Sequence, residues 1–396
     1  MPLRGNAPVP GAKEFYPLND PEIGTDEKVP LLFQPITIGG TTFKNRIFVS
    51  PMCQYSSSNG HATDWHLVHI GGFATRGVGA IIMEATSVVP EGRISPEDAG
   101  LWTDTQIEPL KRIVQFCHAQ GTKIGIQLAH AGRKASTLAP WARGGAYIAP
   151  VEQGGWPDDV YGPSTLPFHE KFPTPKEMDE PHLTYVENAF VEAIERCEEV
   201  GFDFIEIHSA HGYLFHSFLS NLSNDRTDSY GGQPLENRLR FPLRVIKSCR
   251  EAWSKPLFVR ISASDWADRP EQGDDGLWKQ WGIEQTKVLV GELLKIGVDF
   301  VDCSAGGNWA EQKIPLSHGY QVPFAESLKK AYPGLNVGTV GLISDPEKAE
   351  GYLQEGKADV ILLARELLRN PHWPLTAAKA LGVYLKVANQ YERAVV

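Results

Sequence analysis

Eight short apolar runs, each followed by a segment of helical character, are the feature that most constrains the fold of this chain. The runs have the apolar character of strands buried on both faces, as in a parallel sheet. Two intervening segments, residues 104–121 and 184–201, repeat apolar residues at helical spacing and end on Gly121 and Gly201. The eight runs are RIFVS (46–50), AIIMEA (80–85), KIGIQL (123–128), DFIEIH (203–208), LFVRIS (257–262), DFVDCS (299–304), NVGTVG (336–341) and DVILLA (359–364).

Strand and helix alternating eight times predicts an α/β chain folded as a (β/α)8 TIM barrel. We assign the barrel to residues 31–396, which exceeds the usual length of about 250 residues and leaves room for insertions. The alternative is a doubly wound parallel sheet, but no GxGxxG turn follows the first run. Residues 1–30 are rich in Pro, Gly and charge, which predicts a poorly ordered or wrapping N-terminal arm.

The longest spacing between runs lies after the third strand. Residues 131–182 are dense in Pro, Gly and aromatic residues and lack helical periodicity. We expect them to form an excursion over the active face, a lid. A second insertion, residues 264–282, follows the fifth strand and is acidic and rich in Trp. Neither insertion reads as a separate domain.

Composition narrows the class of protein. Hydrophobic residues make up 42% of the 396 residues and charged residues 22%, as in ordinary globular proteins. No apolar run approaches the ~20 residues that span a bilayer, and the first residues lack the apolar core of a secretory signal, so we expect a cytoplasmic protein without a membrane partner. A net charge of -10 disfavours nucleic acid. The five scattered cysteines predict free thiols and no iron–sulfur or zinc cluster.

The fourth run delivers a cluster of polar rings to one end of the barrel. His208, His211 and Tyr213 follow where this strand should end, and the carboxyl ends of barrel strands carry the active site. Two imidazoles and a phenol can hold a substrate oxygen as negative charge grows on it and supply a proton. Two alternatives stay open. The histidines could be structural, or Glu206 could join them around a metal, although no fourth ligand is evident.

The other strand ends favour a flat, redox-active, phosphorylated ligand. Gln127 can pair with a ring edge such as a pyrimidine-dione, and Ala85 leaves space for something broad. Arg260 lies within an apolar run and needs an anion, yet the sequence reveals no carboxylate partner. Small residues after the last three runs and a helix starting near Arg365 predict a phosphate cradle. FMN meets each of these demands; a lone thiol such as Cys53 is more often inert.

With these residues in place, the chain resembles the old yellow enzyme family, most closely its thermophilic-like class of ene-reductases. The resemblance implies an FMN-binding barrel that takes hydride from NADPH or NADH and reduces the C=C bond of α,β-unsaturated carbonyl compounds. The matching segments run in order from about residue 31 to the C-terminus: NRIFVSPMCQYSS, IIMEATSVVPEGRIS, KIGIQLAHAGRKA, GFDFIEIHSAHGYLFHSFLSNLSNDRTDSYGG, ENRLRF, LFVRISASDW, DCSAGG, GYQVPFAE, VGLI and ARELLRNP.

The resemblance also implies a role for individual residues. His208 and His211 would hold the substrate carbonyl, hydride would come from flavin N5, and Tyr213 would donate the proton. Cys53 would tune the flavin, and the nearby Tyr55 marks the same class. Residues that match FMN ligands of the family are Ser50, Pro51, Met52, Cys53, Ala85, Gln127, Arg260, Ser304, Gly341, Ala364 and Arg365. No metal ligand is implied.

Two departures from the family pattern lie in the C-terminal part of the chain. Ala364 stands where family members commonly have Gly before the phosphate-binding Arg. Tyr391 and Arg393 match residues that reach a neighbouring subunit's site in this class, which implies a homo-oligomer, but the aromatic terminus often found there is missing.

Three other functions compete with this prediction. A metal-dependent TIM-barrel hydrolase would use the histidines as ligands. A non-catalytic flavin-binding protein would leave Tyr213 without a use. Flavin-dependent demethylases and dienoyl-CoA reductases share the barrel, but they need clustered cysteines for an iron–sulfur cluster, and the cysteines of this chain are scattered.

Overall fold

Eight parallel strands of the described chain close into a barrel. The structure is a computed structural model that describes residues 15–17, 29–142 and 147–394. Each strand pairs with the next one in the sequence, and the last pairs with the first. The predicted (β/α)8 barrel is confirmed, and every one of the eight apolar runs supplies a strand. The strands are β1 (Ile47–Val49), β2 (Ala80–Ser87), β3 (Lys123–Ala129), β4 (Phe204–Ser209), β5 (Leu257–Ser262), β6 (Phe300–Ser304), β7 (Asn336–Thr339) and β8 (Val360–Leu363).

Helices cover the outside of the barrel. The α3 helix begins four residues before the predicted start, because the Asp179 side chain accepts a hydrogen bond from the His182 N–H and caps the first turn. The end of the predicted lid segment is therefore helical, which corrects its boundary. The helices are α1 (Asp64–Ala74), α2 (Ile107–Ala119), α3 (Glu180–Val200), α4 (Leu214–Leu219), α5 (Leu235–Ala252), α6 (Ile283–Ile296), α7 (Val322–Ala331), α8 (Pro346–Gln354), α9 (Arg365–Arg369) and α10 (Trp373–Ala380).

Aromatic rings fill the lower half of the barrel interior. The Phe258 ring lies 4.6 Å from that of Phe204 and 4.5 Å from that of Phe300, measured between centroids. A hairpin of strands Ile36–Ile38 and Thr41–Phe43 closes this end, and the Phe43 ring packs 5.7 Å from Phe204. Because side chains alternate along a strand, the inward residues two positions further on form the next layer. That upper layer is polar and faces the open end.

The two excursions lie near the loops that leave the carboxyl ends of the strands. Within residues 130–179, the Thr137 N–H donates to the Ile94 carbonyl after β2, and the Arg133 guanidinium donates to the Asn308 carbonyl after β6. In the described part of this stretch, Tyr161–Gly162 pairs with Lys176–Glu177, and two short 3-10 turns, Gly132–Lys134 and Val151–Gln153, precede Lys176–Glu177 in the chain. These contacts place the excursion beside the open end of the barrel, and its action as a lid stays a prediction.

Most of the predicted N-terminal arm, residues 1–14 and 18–28, lies outside the described residues. Tyr16–Pro17 pairs in antiparallel fashion with Leu385–Lys386 near the C-terminus. All five cysteines are free. None of the helices in the described ranges is both long and apolar enough to cross a bilayer.

Candidate active site

A cavity of about 190 Å³ opens at the carboxyl ends of β5 to β8. It gathers six residues that the sequence singled out, although they come from five different strands or the turns that follow them. Such convergence is expected at the carboxyl end of a barrel. The six are His211, Arg260, Ser304, Gly341, Ala364 and Arg365. Tyr320, Gln321 and Arg369 also line the cavity, and sequence reasoning missed them.

The predicted ring cluster stands together at this end of the barrel. The His208 ring centroid lies 5.3 Å from that of His211 and 4.9 Å from that of Tyr213, and both contacts are edge-to-face. His208 ends β4, and Tyr213 caps α4 directly after the intervening turn. The short connection between strand and helix therefore brings all three rings to one place.

Hydrogen bonds fix the turn at residues 210–213 from several sides. His211 adopts a left-handed backbone with φ 59°, which costs free energy unless its surroundings hold it there. Its N–H donates to the Ser262 hydroxyl at 2.9 Å, and the Gly212 N–H donates to His216 Nδ1 at 3.0 Å. Lys134 Nζ donates to the His211 carbonyl at 2.8 Å. The turn is thus held in one conformation before any ligand arrives.

Two glycines allow this turn to lie directly against the loop after β6. A Cβ on Gly212 would sit 2.3 Å from the Gly307 carbonyl oxygen, and a Cβ on Gly307 would sit 2.5 Å from His211 Cα. Both contacts are with backbone, which cannot move aside as a side chain can. Gly212 and Gly307 are therefore required by the close approach of the two loops as well as by their positive φ.

The two histidines are neutral, but their N–H groups are used differently. Burial, followed by the charge of Arg260, holds the pKa of both imidazoles well below the usual value. His208 Nδ1 accepts from the Ala210 N–H at 3.3 Å, which leaves the proton on Nε2. His211 Nε2 lies 2.8 Å from the Ser304 hydroxyl, which itself donates to Gln321. Because its only proton is used toward Gln321, the Ser304 hydroxyl can only accept a hydrogen bond from His211. The Nε2 proton of His211 is therefore directed at the Ser304 oxygen.

Three further groups are held protonated beside this cluster. Burial, followed by the nearby Cys53 sulfur, raises the pKa of the Tyr213 phenol well above its usual value. Burial also raises the pKa of the Cys53 thiol and of the Tyr55 phenol, with Asp98 contributing to both. The Tyr55 ring packs edge-to-face on Trp141 of the excursion, 5.3 Å between centroids.

The loop that carries Cys53 is anchored by a buried contact between a carboxylate and a histidine. Glu84 accepts from the Gln54 N–H at 2.7 Å, and its other oxygen lies 3.2 Å from His66 Nε2. His66 Nδ1 accepts from the Thr63 N–H, so the Nε2 proton points at the carboxylate. Glu84 lies next to Ala85 in β2 and ties this strand to the thiol's loop. Pro51 and Met52 of the same loop do not line the cavity described above.

Arg260 has a carboxylate partner that sequence reasoning did not find. Its Nε lies 3.2 Å from Asp302 Oδ2, and its Nη1 donates to the Ser50 hydroxyl at 3.1 Å. Asp302 is the register partner of Arg260 on the neighbouring strand. Aligning the fifth and sixth runs would have suggested the pair, since both residues sit two positions before the strand ends.

The residues present fit FMN. In the upper barrel layer Gln127 donates to Glu206 at 2.7 Å, which leaves its carbonyl oxygen for a ligand. Arg260 Nε is buried and makes no aligned hydrogen bond in the described protein although Asp302 Oδ2 lies 3.2 Å away, so the guanidinium keeps hydrogen-bonding capacity for a polar ring. At the cradle, a Cβ on Gly341 would come within 2.9 Å of Gln321, so glycine keeps this space open. Arg365 supplies a charge for phosphate in the same cavity.

The alternative metal site is not supported by the geometry. Glu206 is hydrogen-bonded to Gln127, and the described residues contain no group of three His, Cys, Asp or Glu side chains arranged to hold a metal ion.

At the C-terminus, Tyr391 packs against Arg76 and His372 of its own chain. Its ring centre lies 5.7 Å from the Arg76 guanidinium carbon and 5.9 Å from the centre of the His372 ring.

Comparisons with known proteins identify the family of this chain. Residues 31–383 match the NADH:flavin oxidoreductase / NADH oxidase family. The chain is 45% identical to an NADH:flavin oxidoreductase of Gibberella zeae over 394 residues, covering 98% of this chain and 95% of the relative. It is also 45% identical to an NADPH dehydrogenase of Geobacillus thermodenitrificans over 365 residues, covering 92% and 98%.

Two solved structures share the fold. Morphinone reductase superposes with a TM-score of 0.71 at 26% identity, covering 91% of this chain and 92% of that one. A 2-naphthoyl-CoA reductase superposes with a TM-score of 0.76 at 21% identity. The match covers 88% of this chain but only 52% of that larger reductase.

Proposed function

The chain belongs to the NADH:flavin oxidoreductase / NADH oxidase family, the family of the old yellow enzymes, and from that premise we propose that it reduces the C=C bond of α,β-unsaturated carbonyl compounds. Family membership makes it an FMN-dependent oxidoreductase with NADH or NADPH as reductant. It also disfavours the metal-dependent hydrolase. What remains to be proposed is the substrate class and the residues that act on it.

The observation that carries the proposal is the set of three rings at the open end of the barrel. His208 offers a neutral imidazole N–H that no described group accepts, and Tyr213 offers a phenol whose raised pKa keeps it protonated. A site with hydrogen-bond donors and a protonated acid around one point suits a substrate that gains negative charge on oxygen and a proton on carbon. Reduction of an enone makes both demands, because the enolate carries negative charge on oxygen and takes up a proton on carbon.

The residues divide the reaction between them. Bound FMN supplies the hydride that it has received from the nicotinamide coenzyme. His208 binds the carbonyl oxygen. The His211 N–H is directed at the Ser304 hydroxyl, and it binds the same carbonyl oxygen once a ligand forms a hydrogen bond with Ser304 in its place. Tyr213 transfers its phenolic proton to the α-carbon. Cys53, a half-buried and protonated thiol beside Tyr213, acts on the flavin's potential, while Tyr55 in the same loop packs on Trp141.

We extend the proposal to the assembly. Arg393 lies in the short 3-10 turn Asn389–Ala394 and is exposed. In a homo-oligomer it would be free to contact a neighbouring subunit's site.

Removing the Tyr213 hydroxyl tests the proposal. In rapid-reaction measurements on the FMN-loaded protein, Tyr213→Phe should slow reoxidation by cyclohexenone about 100-fold, since general acid catalysis typically contributes that much. Reduction by NADPH should stay within about twofold, because that step needs no proton from the phenol. The control is Tyr185→Phe on the outer helix α3, where the side chain is 45% exposed. Equal slowing of both half-reactions would contradict the proposal. If cyclohexenone does not reoxidise the reduced flavin even in the unaltered protein, a non-catalytic flavin protein would be favoured.

A further inference from the structure

The upper layer of the barrel interior holds two acids and one cation. Glu206 and Asp302 are fully buried, and Arg260 is 7% exposed. All three project inward from neighbouring strands, β4, β5 and β6, directly above the Phe204, Phe258 and Phe300 rings. Arg260 Nε lies 3.2 Å from Asp302 Oδ2.

Among the described residues, no other charged side chain is hydrogen-bonded or ion-paired to these three. Gln127 and Ser50 contribute a neutral amide and a neutral hydroxyl, and His208 and His211 above it are neutral because burial and Arg260 lower their pKa. If both acids were ionised, the layer would carry a net charge of -1 in a site closed from below by aromatic rings. A buried charge without a partner costs several kcal/mol.

The hydrogen bonds leave room for a proton. Glu206 Oε1 accepts from Gln127 at 2.7 Å, but Glu206 Oε2 and Asp302 Oδ1 have no hydrogen-bond donor among the described residues, and Asp302 Oδ2 has only the unaligned Arg260 Nε at 3.2 Å. Carboxylates that are ionised and buried are normally surrounded by donors. Burial first, and then each other's charge in the case of Glu206, raises the pKa of both groups.

We propose that Glu206 and Asp302 hold one proton between them at neutral pH, so that the pair supplies a single negative charge to Arg260. The proton resides on either acid, and the remaining carboxylate faces the guanidinium. When one of the two is replaced by its amide, the other ionises and keeps the charge constant. With one shared proton, the layer formed by Glu206, Asp302 and Arg260 has no net charge beneath the uncharged ring of an oxidised flavin. Arg260 can then interact with the flavin ring when reduction makes that ring negative.

Infrared spectroscopy of the flavin-free protein tests the proton directly. At neutral pH the unaltered protein should show the C=O stretch of a buried carboxylic acid, and both Glu206→Gln and Asp302→Asn should lose the intensity that one such acid contributes to this band. Burial raises the pKa of Asp98 to about 7, so the C=O band of Asp98 overlaps with that of the shared proton. The shared proton is therefore assigned from the intensity that each variant loses. The exposed Glu284→Gln is the control and should leave the spectrum unchanged. Intensity that is lost in one variant but kept in the other would show that one acid alone holds the proton and would overturn sharing.

A double-mutant cycle gives a second readout, which rests on the proposed FMN site whereas the infrared band does not. Each single amide variant should change the equilibrium for reducing the bound flavin less than threefold. The double variant leaves Arg260 without a counter-charge and should favour the reduced flavin at least tenfold, about 30 mV for a two-electron couple. Additive effects of the two substitutions would contradict a shared proton. If the band behaves as expected but the potentials do not move, the proton is shared and the placement of the flavin fails.

Discussion

A half-buried lysine that sequence reasoning left without a role holds the histidine turn in place. Lys134 Nζ donates to the carbonyls of His211 and Gly307, and it lies 4.0 Å from the centre of the Phe168 ring. Burial, and to a smaller extent Arg133, lowers its pKa to about 7. Lys134 therefore joins the excursion to the two loops that meet at Gly212 and Gly307.

Replacing Lys134 should weaken both the fold and the reaction. Lys134→Met keeps most of the volume but leaves two buried carbonyls without a donor, which should lower the free energy of unfolding by about 1–3 kcal/mol. Because the His211 backbone is then less well held, the reoxidation of flavin by an enone should slow more than its reduction. Urea unfolding and rapid kinetics measure the two effects. Lys171→Met, an exposed residue of the same excursion, is the control. Unchanged stability would remove Lys134 from this role.

The short helix α4 depends on a buried contact between a histidine and a carboxylate for its position. His216 Nε2 lies 3.1 Å from Asp265 Oδ1, both side chains are fully buried, and Asp265 Oδ2 accepts from the Trp281 N–H at 3.0 Å. His216 also accepts from Gly212 in the catalytic turn. The second insertion, residues 264–282, thus supports the turn from outside the barrel, a function that its acidic, Trp-rich sequence did not suggest.

Breaking this pair should destabilise the protein in a pH-dependent manner. Asp265→Ala leaves the buried His216 Nε2–H without an acceptor and should cost about 1–3 kcal/mol in urea unfolding. Burial alone would raise the pKa of Asp265, but His216 and the other donors hold it below the usual value. Its contribution is therefore present above the unfolded pKa of about 3.9 and is lost as the pH falls through the lower folded pKa. Asp268→Ala, on the surface of the same insertion, should leave the unfolding midpoint unchanged. A cost for Asp265→Ala no larger than that for Asp268→Ala would contradict this account.

The elements themselves were largely predictable from the sequence, whereas their pairings were not. The eight strands could be found because strands buried on both faces leave uninterrupted apolar runs, and the ring cluster could be found because it directly follows one of them. The Arg260–Asp302 pair depends on inter-strand register, which no single run encodes. The hydrogen bond between His211 and Ser304 likewise joins strands that are far apart in sequence. The start of α3 was missed because a cap and a proline, Asp179 and Pro181, define it more than apolar spacing does.

At the scale of the whole molecule, the barrel is closed by aromatic rings at one end and polar at the other. The apolar hairpin and the Phe layer stabilise the lower half without any ligand. The upper half contains buried polar atoms, among them Glu206 Oε2 and Asp302 Oδ1, that no described protein group satisfies. A ligand that covers this end should therefore stabilise the entire fold, because it binds the native state only.

Thermal unfolding should distinguish the ring from the phosphate of this ligand. FMN at about 100 times its Kd should stabilise the native protein by about 2.7 kcal/mol and raise the Tm accordingly. Riboflavin, which lacks the phosphate, should raise it less at the same concentration. Arg365→Ala should reduce the advantage of FMN over riboflavin, while Arg112→Ala, an exposed residue of α2, should not. Equal stabilisation by the two compounds would exclude phosphate binding in the cavity that Arg365 lines.

An anaerobic titration tests the central claim most directly, namely that this barrel transfers hydride from a nicotinamide coenzyme through FMN to an activated C=C bond. NADPH, or NADH if that is the preferred coenzyme, should bleach the yellow absorbance of the FMN-loaded protein. One equivalent of cyclohexenone should then restore it and yield cyclohexanone. A bleached flavin that cyclohexenone and other α,β-unsaturated carbonyl compounds leave reduced would contradict the account.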